Sequence, residues 1–106
     1  MAVYTNISSI ATTTLVAKEA RIGKNSGSGR GNNYIISKIV IANHDNTDLV
    51  IAKLYLHDGT NTYVLTETTI PALTTLVLED NLSFDRGLYD LKIDTSTTAE
   101  ITVTIK

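Results

Sequence analysis

The sequence contains no cysteine, no tryptophan, a single proline and a single phenylalanine. Without thiols it can form no disulfide, no thiolate zinc site and no cysteine nucleophile. No apolar run approaches the ~20 residues of a membrane-spanning helix, so no membrane partner is expected. The opening Met1-Ala2-Val3-Tyr4-Thr5-Asn6 has neither the basic nor the apolar stretch of a signal peptide. The sequons Asn6-Ile7-Ser8 and Asn81-Leu82-Ser83 are therefore read as chance matches. Small secreted domains usually carry staples, so a chain without them is expected to be made in the cytoplasm or stabilised by assembly. A sustained 3.6-residue apolar stripe is also missing, which argues against helices.

What is there favours strands. The 106 residues suit one domain, and 42% of them are hydrophobic, far from the composition of a disordered chain. The apolar weight lies in Ile, Val and Leu, and Thr is frequent; branched side chains pack well on a pleated surface and lose rotamer freedom in a helix. From residue 34 onward apolar residues alternate with polar ones between short turn signals. Tyr34–Asn43 reads as one strand with Ile35, Ile39 and Ile41 on one face. Leu49–His57 follows, with Val50, Ala52, Leu54 and Leu56 toward the core. Asp58-Gly59 is a strong hairpin signal, because glycine accepts the positive φ that such turns require. Asn61–Glu67 and Ile70–Leu78 read as further strands, and Pro71 places the latter at an edge or assigns Pro71 to its first residues. Leu82 and Phe84 form a short apolar pair. Leu91 and Ile93, then Ile101, Val103 and Ile105, complete the alternating set. The expected fold class is all-β: an antiparallel β-sandwich, jelly-roll or Ig-like, of about seven or eight short strands with an extended N-terminal arm.

Three regions are expected: a strand or arm over residues 1–22, a flexible Gly/Ser/Asn-rich loop over 23–33, and the sandwich over 34–106. Charge is split along the chain. Residues 1–42 carry a net +4 and residues 43–106 a net −6. Nucleic acid is disfavoured as a partner, since the basic residues are diluted by Ser, Gly and Asn and only Tyr34 is near enough to stack. A basic leading segment can instead meet the acidic body of a neighbouring copy. In that reading Ile7, Ile10, Leu15 and Val16 supply the apolar contact. Arg21, Lys24 and Arg30 then meet Glu79, Asp80 and Asp85, and the result is a homo-oligomer, with a trimer favoured.

Catalytic and cofactor motifs fail on detail. Gly23-Lys24 is followed by Asn25 and by no helical pattern, so it is no phosphate loop. Asp45-Asn46-Thr47-Asp48 lacks the glycine, spacing and final Glu of a calcium loop. His44 and His57 have no third zinc ligand at motif spacing. Glu79 with Asp80, or Asp85 with Asp90, could be read as a glycosidase pair, but no aromatic platform accompanies them. No serine sits in a nucleophile elbow. No enzyme, no cofactor and no metal is expected.

The run Lys38-Ile-Val-Ile-Ala-Asn43, a polar turn and Ile51-Ala-Lys-Leu-Tyr-Leu-His-Asp-Gly59 make a pattern with three later pieces: Ile70-Pro71-Ala72 with Leu76-Val-Leu78, Gly87-Leu-Tyr-Asp-Leu91, and Ile101-Thr-Val-Thr-Ile105. Together they resemble the small β-sandwich virion structural proteins of tailed bacteriophages, of head decoration (cement) or neck and tail-completion type. Leu73 departs from that pattern, which has the glycine of a tight turn there. The resemblance spans residues 34–106 and implies a non-enzymatic capsid decoration protein located in the virion, its partners other copies of itself and virion proteins such as the major capsid protein. A neck, tail or fibre-base component is the alternative within that class. Outside it stands a carbohydrate- or receptor-binding module, for which Tyr55 and Tyr63 are the contact candidates.

Overall fold

The computed structural model describes residues 2–18, 33–79 and 81–106, and these contain ten strands and no helix. The strands are β1 (Val3–Ile7), β2 (Ala11–Val16), β3 (Asn33–Ile36), β4 (Ile39–Asn43), β5 (Val50–His57), β6 (Thr62–Ile70), β7 (Thr74–Leu78), β8 (Leu82–Asp85), β9 (Asp90–Thr95) and β10 (Ile101–Ile105). Five antiparallel pairs are nested: β1 with β10, β2 with β9, β3 with β8, β4 with β7 and β5 with β6. The chain is thus one long hairpin. Rolling it up adds the pairings of β10 with β4 and β9 with β5, giving two four-stranded sheets, β1-β10-β4-β7 and β2-β9-β5-β6, plus the β3-β8 pair. That is the strand order of a jelly roll, the first of the two expected sandwich types.

Alternation explains which side chains fill the space between the sheets. Ile39 and Ile41 from β4, Val50, Ala52 and Leu54 from β5, Leu91 and Ile93 from β9, and Ile101, Val103 and Ile105 from β10 are all buried. Leu56, expected with them, only packs partly against this cluster. The register of β5 on β6 shifts between Leu54 and Tyr55 with Leu65 as the extra residue on β6, while β5 stays in regular register on β9, so Leu56 keeps its inward parity near the end of its strand.

Two strands expected as single units are each two. Tyr34–Asn43 breaks at Ser37 and Lys38, whose N–H groups both donate to the Lys106 carbonyl, at 2.6 and 3.1 Å. Across that break the chain leaves the β8 ladder for the β10 ladder and the buried parity switches. Ile36 is buried and Ile35 is 63% exposed, the reverse of the sequence expectation. Ile70–Leu78 is likewise split by a turn over Pro71-Ala72-Leu73. There Leu73 adopts φ +60°, a left-handed conformation that favours glycine. A side chain costs roughly 1–2 kcal/mol in this region, while glycine costs about 0.5–1 kcal/mol in chain entropy. Leu73 is 69% exposed, so little packing is at stake. Leu73→Gly is therefore expected to stabilise the protein by about 0.5–1 kcal/mol, read as a higher urea midpoint; a lower midpoint would contradict this.

The expected arm also differs. Val3–Ile7 lies on β10 and Ala11–Val16 on β9, both within the same chain. Ile7 and Val16 are buried in its own core. An apolar side chain that reaches this core gains more than one left for a partner. The expected loop over 23–33 lies outside the described residues, except Asn33, which opens β3.

Candidate assembly surface

Two turns are each built around a carboxylate. Asp45 accepts the N–H groups of Asp48 (2.8 Å) and Thr47 (3.1 Å), and Asp58 those of Asn61 (2.6 Å) and Thr60 (2.8 Å). These donors, Asp48 and Asn61 foremost, hold both carboxyls below the ordinary value of 3.8. A depressed folded-state pKa stabilises above the unfolded value, and that contribution is lost as pH falls through the lower, folded one. Stability should therefore decline with acidification below about pH 4. Asp45→Asn and Asp58→Asn, which keep an acceptor oxygen, should each flatten that decline in urea midpoints measured against pH. An unchanged acid limb in both variants would contradict the assignment. Among the described residues no three His, Cys, Asp or Glu side chains converge on a metal-sized space.

The two outer faces of the sandwich differ in kind. On the β2-β9-β5-β6 sheet, one cross-strand row runs Thr12, Asp94, Lys53, Glu67 and the next Thr14, Lys92, Tyr55, Val64. Thr12 Oγ1 donates to Asp94 at 2.6 Å, and Lys53 Nζ lies 4.0 Å from the same carboxylate. Tyr55 is 7% exposed and its hydroxyl donates to Asp94 at 3.0 Å. Burial pushes that hydroxyl pKa up, and the Asp94 hydrogen bond adds to it. Tyr55 is thus a structural residue and not the exposed contact expected of a glycan site. Tyr63 is half exposed and meets Tyr89 edge-on, with ring centroids 6.0 Å apart.

On the β1-β10-β4-β7 sheet, the two central rows are Tyr4, Thr104, Val40, Val77 and Asn6, Thr102, Ala42, Thr75. None carries a formal charge. Tyr4 is 71% and Val77 44% exposed. Among the described residues, charges appear at the ends of this sheet. Lys38 and Lys106 exchange backbone hydrogen bonds at one end, with Glu79 just beyond β7. At the other end His44 Nδ1 lies 3.8 Å from Glu100. Thr102 Oγ1 donates to Asn6 Oδ1 at 2.8 Å, so even the polar groups here are partly satisfied within the sheet.

Of the residues expected at an interface, Ile7 and Val16 are buried, and Leu15 packs partly against the core at the β2 bulge. The arm that favoured a trimer is therefore not free in these residues. Ile10 is 68% exposed in the β1–β2 connection, and Glu79 is exposed after β7. Asp85 ends β8, where its carboxylate accepts the Gly87 N–H at 2.8 Å. Arg21, Lys24, Arg30 and Asp80 lie outside the described residues. The expected pairing of basic arm and acidic body between copies therefore lies outside the described residues. Sequence reasoning missed the uncharged face, although its signal was present: the even positions of β4 and β10 and both Tyr4 and Asn6 lack charge.

No protein-family model and no curated protein matches the chain. Among solved structures it is similar to the nucleoplasmin-like N-terminal domain of Drosophila FKBP39. The two share 19% identity over 99% of this chain and 85% of that one, with a TM-score of 0.52. At that identity the likeness shows a shared all-β sandwich fold and nothing further.

Proposed function

We propose that this chain is a non-enzymatic structural protein of a tailed-phage virion, acting as a capsid decoration protein in self-associating copies on the head. The observation that carries the reading is the uncharged outer face of the β1-β10-β4-β7 sheet, set against a charged opposite face. A jelly roll with one such face is suited to being covered, because burying it leaves no charged group to be desolvated. The resemblance over residues 34–106 supplies the virion setting, with the major capsid protein as the natural neighbour. Association then runs through folded surfaces and not through a swapped arm, since Ile7 and Val16 are already buried. Copy number in purified virions tests the proposal. Hundreds of copies per particle support head decoration, a handful points to a neck, tail or fibre-base part, and absence from the particle overturns it.

A further inference from the structure

The geometry points to a second copy of this chain as the occupant of the β1-β10-β4-β7 face, docked about a two-fold axis with the strands of the two copies antiparallel. This rests on the self-association in the functional reading and names its surface. An isologous contact sets each patch against itself, so a face carrying charges of one sign repels its own image. The central rows here carry none; the Thr104 and Thr75 hydroxyls can donate and accept toward the partner's rows, while Thr102, whose proton goes to Asn6, can accept. The sheet ends then decide the orientation. Lys38 and Lys106 stand at one end and Glu100 at the other, because β4 and β10 run antiparallel. A two-fold axis in the interface plane and perpendicular to the strands lays each lysine end over the partner's Glu100 end. The alternative axis, along the strands, would stack lysines on lysines. Among the described residues, Glu79 at the lysine end offsets one of the two lysine charges.

Size sets the strength. Four strands about 4.8 Å apart and five residues long at about 3.4 Å each cover roughly 300 Å². A stable interface uses about 800 Å² per partner. The pair is therefore weak in dilute solution and becomes persistent where other contacts already hold copies side by side.

Sedimentation of the full chain from about 10 µM to 1 mM tests this, with far-ultraviolet circular dichroism as the check on folding. The unmodified protein should shift from monomer toward dimer as concentration rises. Tyr4→Lys and Val77→Lys, both at exposed positions, should weaken dimerisation about tenfold or more, whereas Thr14→Lys on the opposite face should not. Lys38→Glu should weaken it, and the double variant Lys38→Glu with Glu100→Lys should restore it. Dimerisation insensitive to Tyr4→Lys and Val77→Lys would overturn the assigned face while leaving self-association standing. Failure of the double variant to recover would overturn the antiparallel arrangement. A monomer at every concentration would overturn the pairing itself and leave the virion role to the copy-number measurement.

Discussion

Removal of residues 2–17 is expected to abolish cooperative folding and not to release a trimmed but stable sandwich. The segment contains β1 and β2, which cover the open sides of β10 and β9, and it buries Ile7 and Val16. Each fully buried side chain of this type contributes roughly 1.5–3 kcal/mol. The two together, roughly 3–6 kcal/mol, reach the lower end of a small domain's total stability of about 5–15 kcal/mol before the lost ladders are counted. The nested topology makes the loss worse, since the outermost pair of the long hairpin closes the roll. Thermal unfolding followed by circular dichroism should show no sigmoidal transition. A truncated chain that unfolds cooperatively near the full-length midpoint would mean that the leading segment is an appendage after all.

Asn43 should prove the most sensitive polar position. It is 2% exposed, and its amide Nδ2 lies 2.9 Å from the Asp48 carbonyl, 3.0 Å from that of Ile70 and 3.2 Å from that of Pro71. Its Oδ1 accepts the Asp45 N–H at 3.1 Å. One side chain thereby ties the end of β4 to the lead-in of β5, the end of β6 and the turn containing Leu73, whose N–H donates to the Asp45 carbonyl at 3.1 Å. Asn43→Leu removes the amide and leaves these backbone groups without that partner, at about 1–3 kcal/mol for each one that stays buried and unpaired. The expected loss is about 3–5 kcal/mol in urea unfolding, comparable to a large core truncation. Asn43→Asp keeps the acceptor but sets a carboxylate against three carbonyls, and should be no better. A loss under about 1 kcal/mol in both variants would show that water replaces the amide without penalty.

Asn43 also shows where sequence reading succeeds and stops. Strand character and core identity in β4, β5, β9 and β10 were legible because alternation is local: ten of the eleven core residues expected there are buried. Asn43 was visible as the last residue of a strand pattern, but its three carbonyl partners come from segments up to 28 residues away. The break at Ser37 and Lys38 was hidden for the same reason. It depends on the Lys106 carbonyl, so Ile35 and Ile36 exchange roles through a contact from the far end of the chain. Leu73 gave a local clue, a leucine at a glycine position, which the backbone answers with a positive φ. The uncharged face needed register. Tyr4, Thr104, Val40 and Val77 form a row only once β1, β10, β4 and β7 are placed side by side. The arm was misjudged because Ile7 and Val16 sit among Ser and Thr, and no local signal says that β10 and β9 await them.

The proposed role requires that the uncharged sheet face be covered in an assembly. Hydroxyl-radical footprinting tests it most directly, by comparing the dilute isolated chain with the chain in purified virions. Tyr4, 71% exposed on the uncharged face, and Tyr63, 46% exposed at the edge of the other sheet, serve as paired reporters. The account predicts that Tyr4 is oxidised readily in the isolated chain and protected in the particle, while Tyr63 reacts alike in both. Tyr4 reacting in the particle as it does in the isolated chain would contradict it.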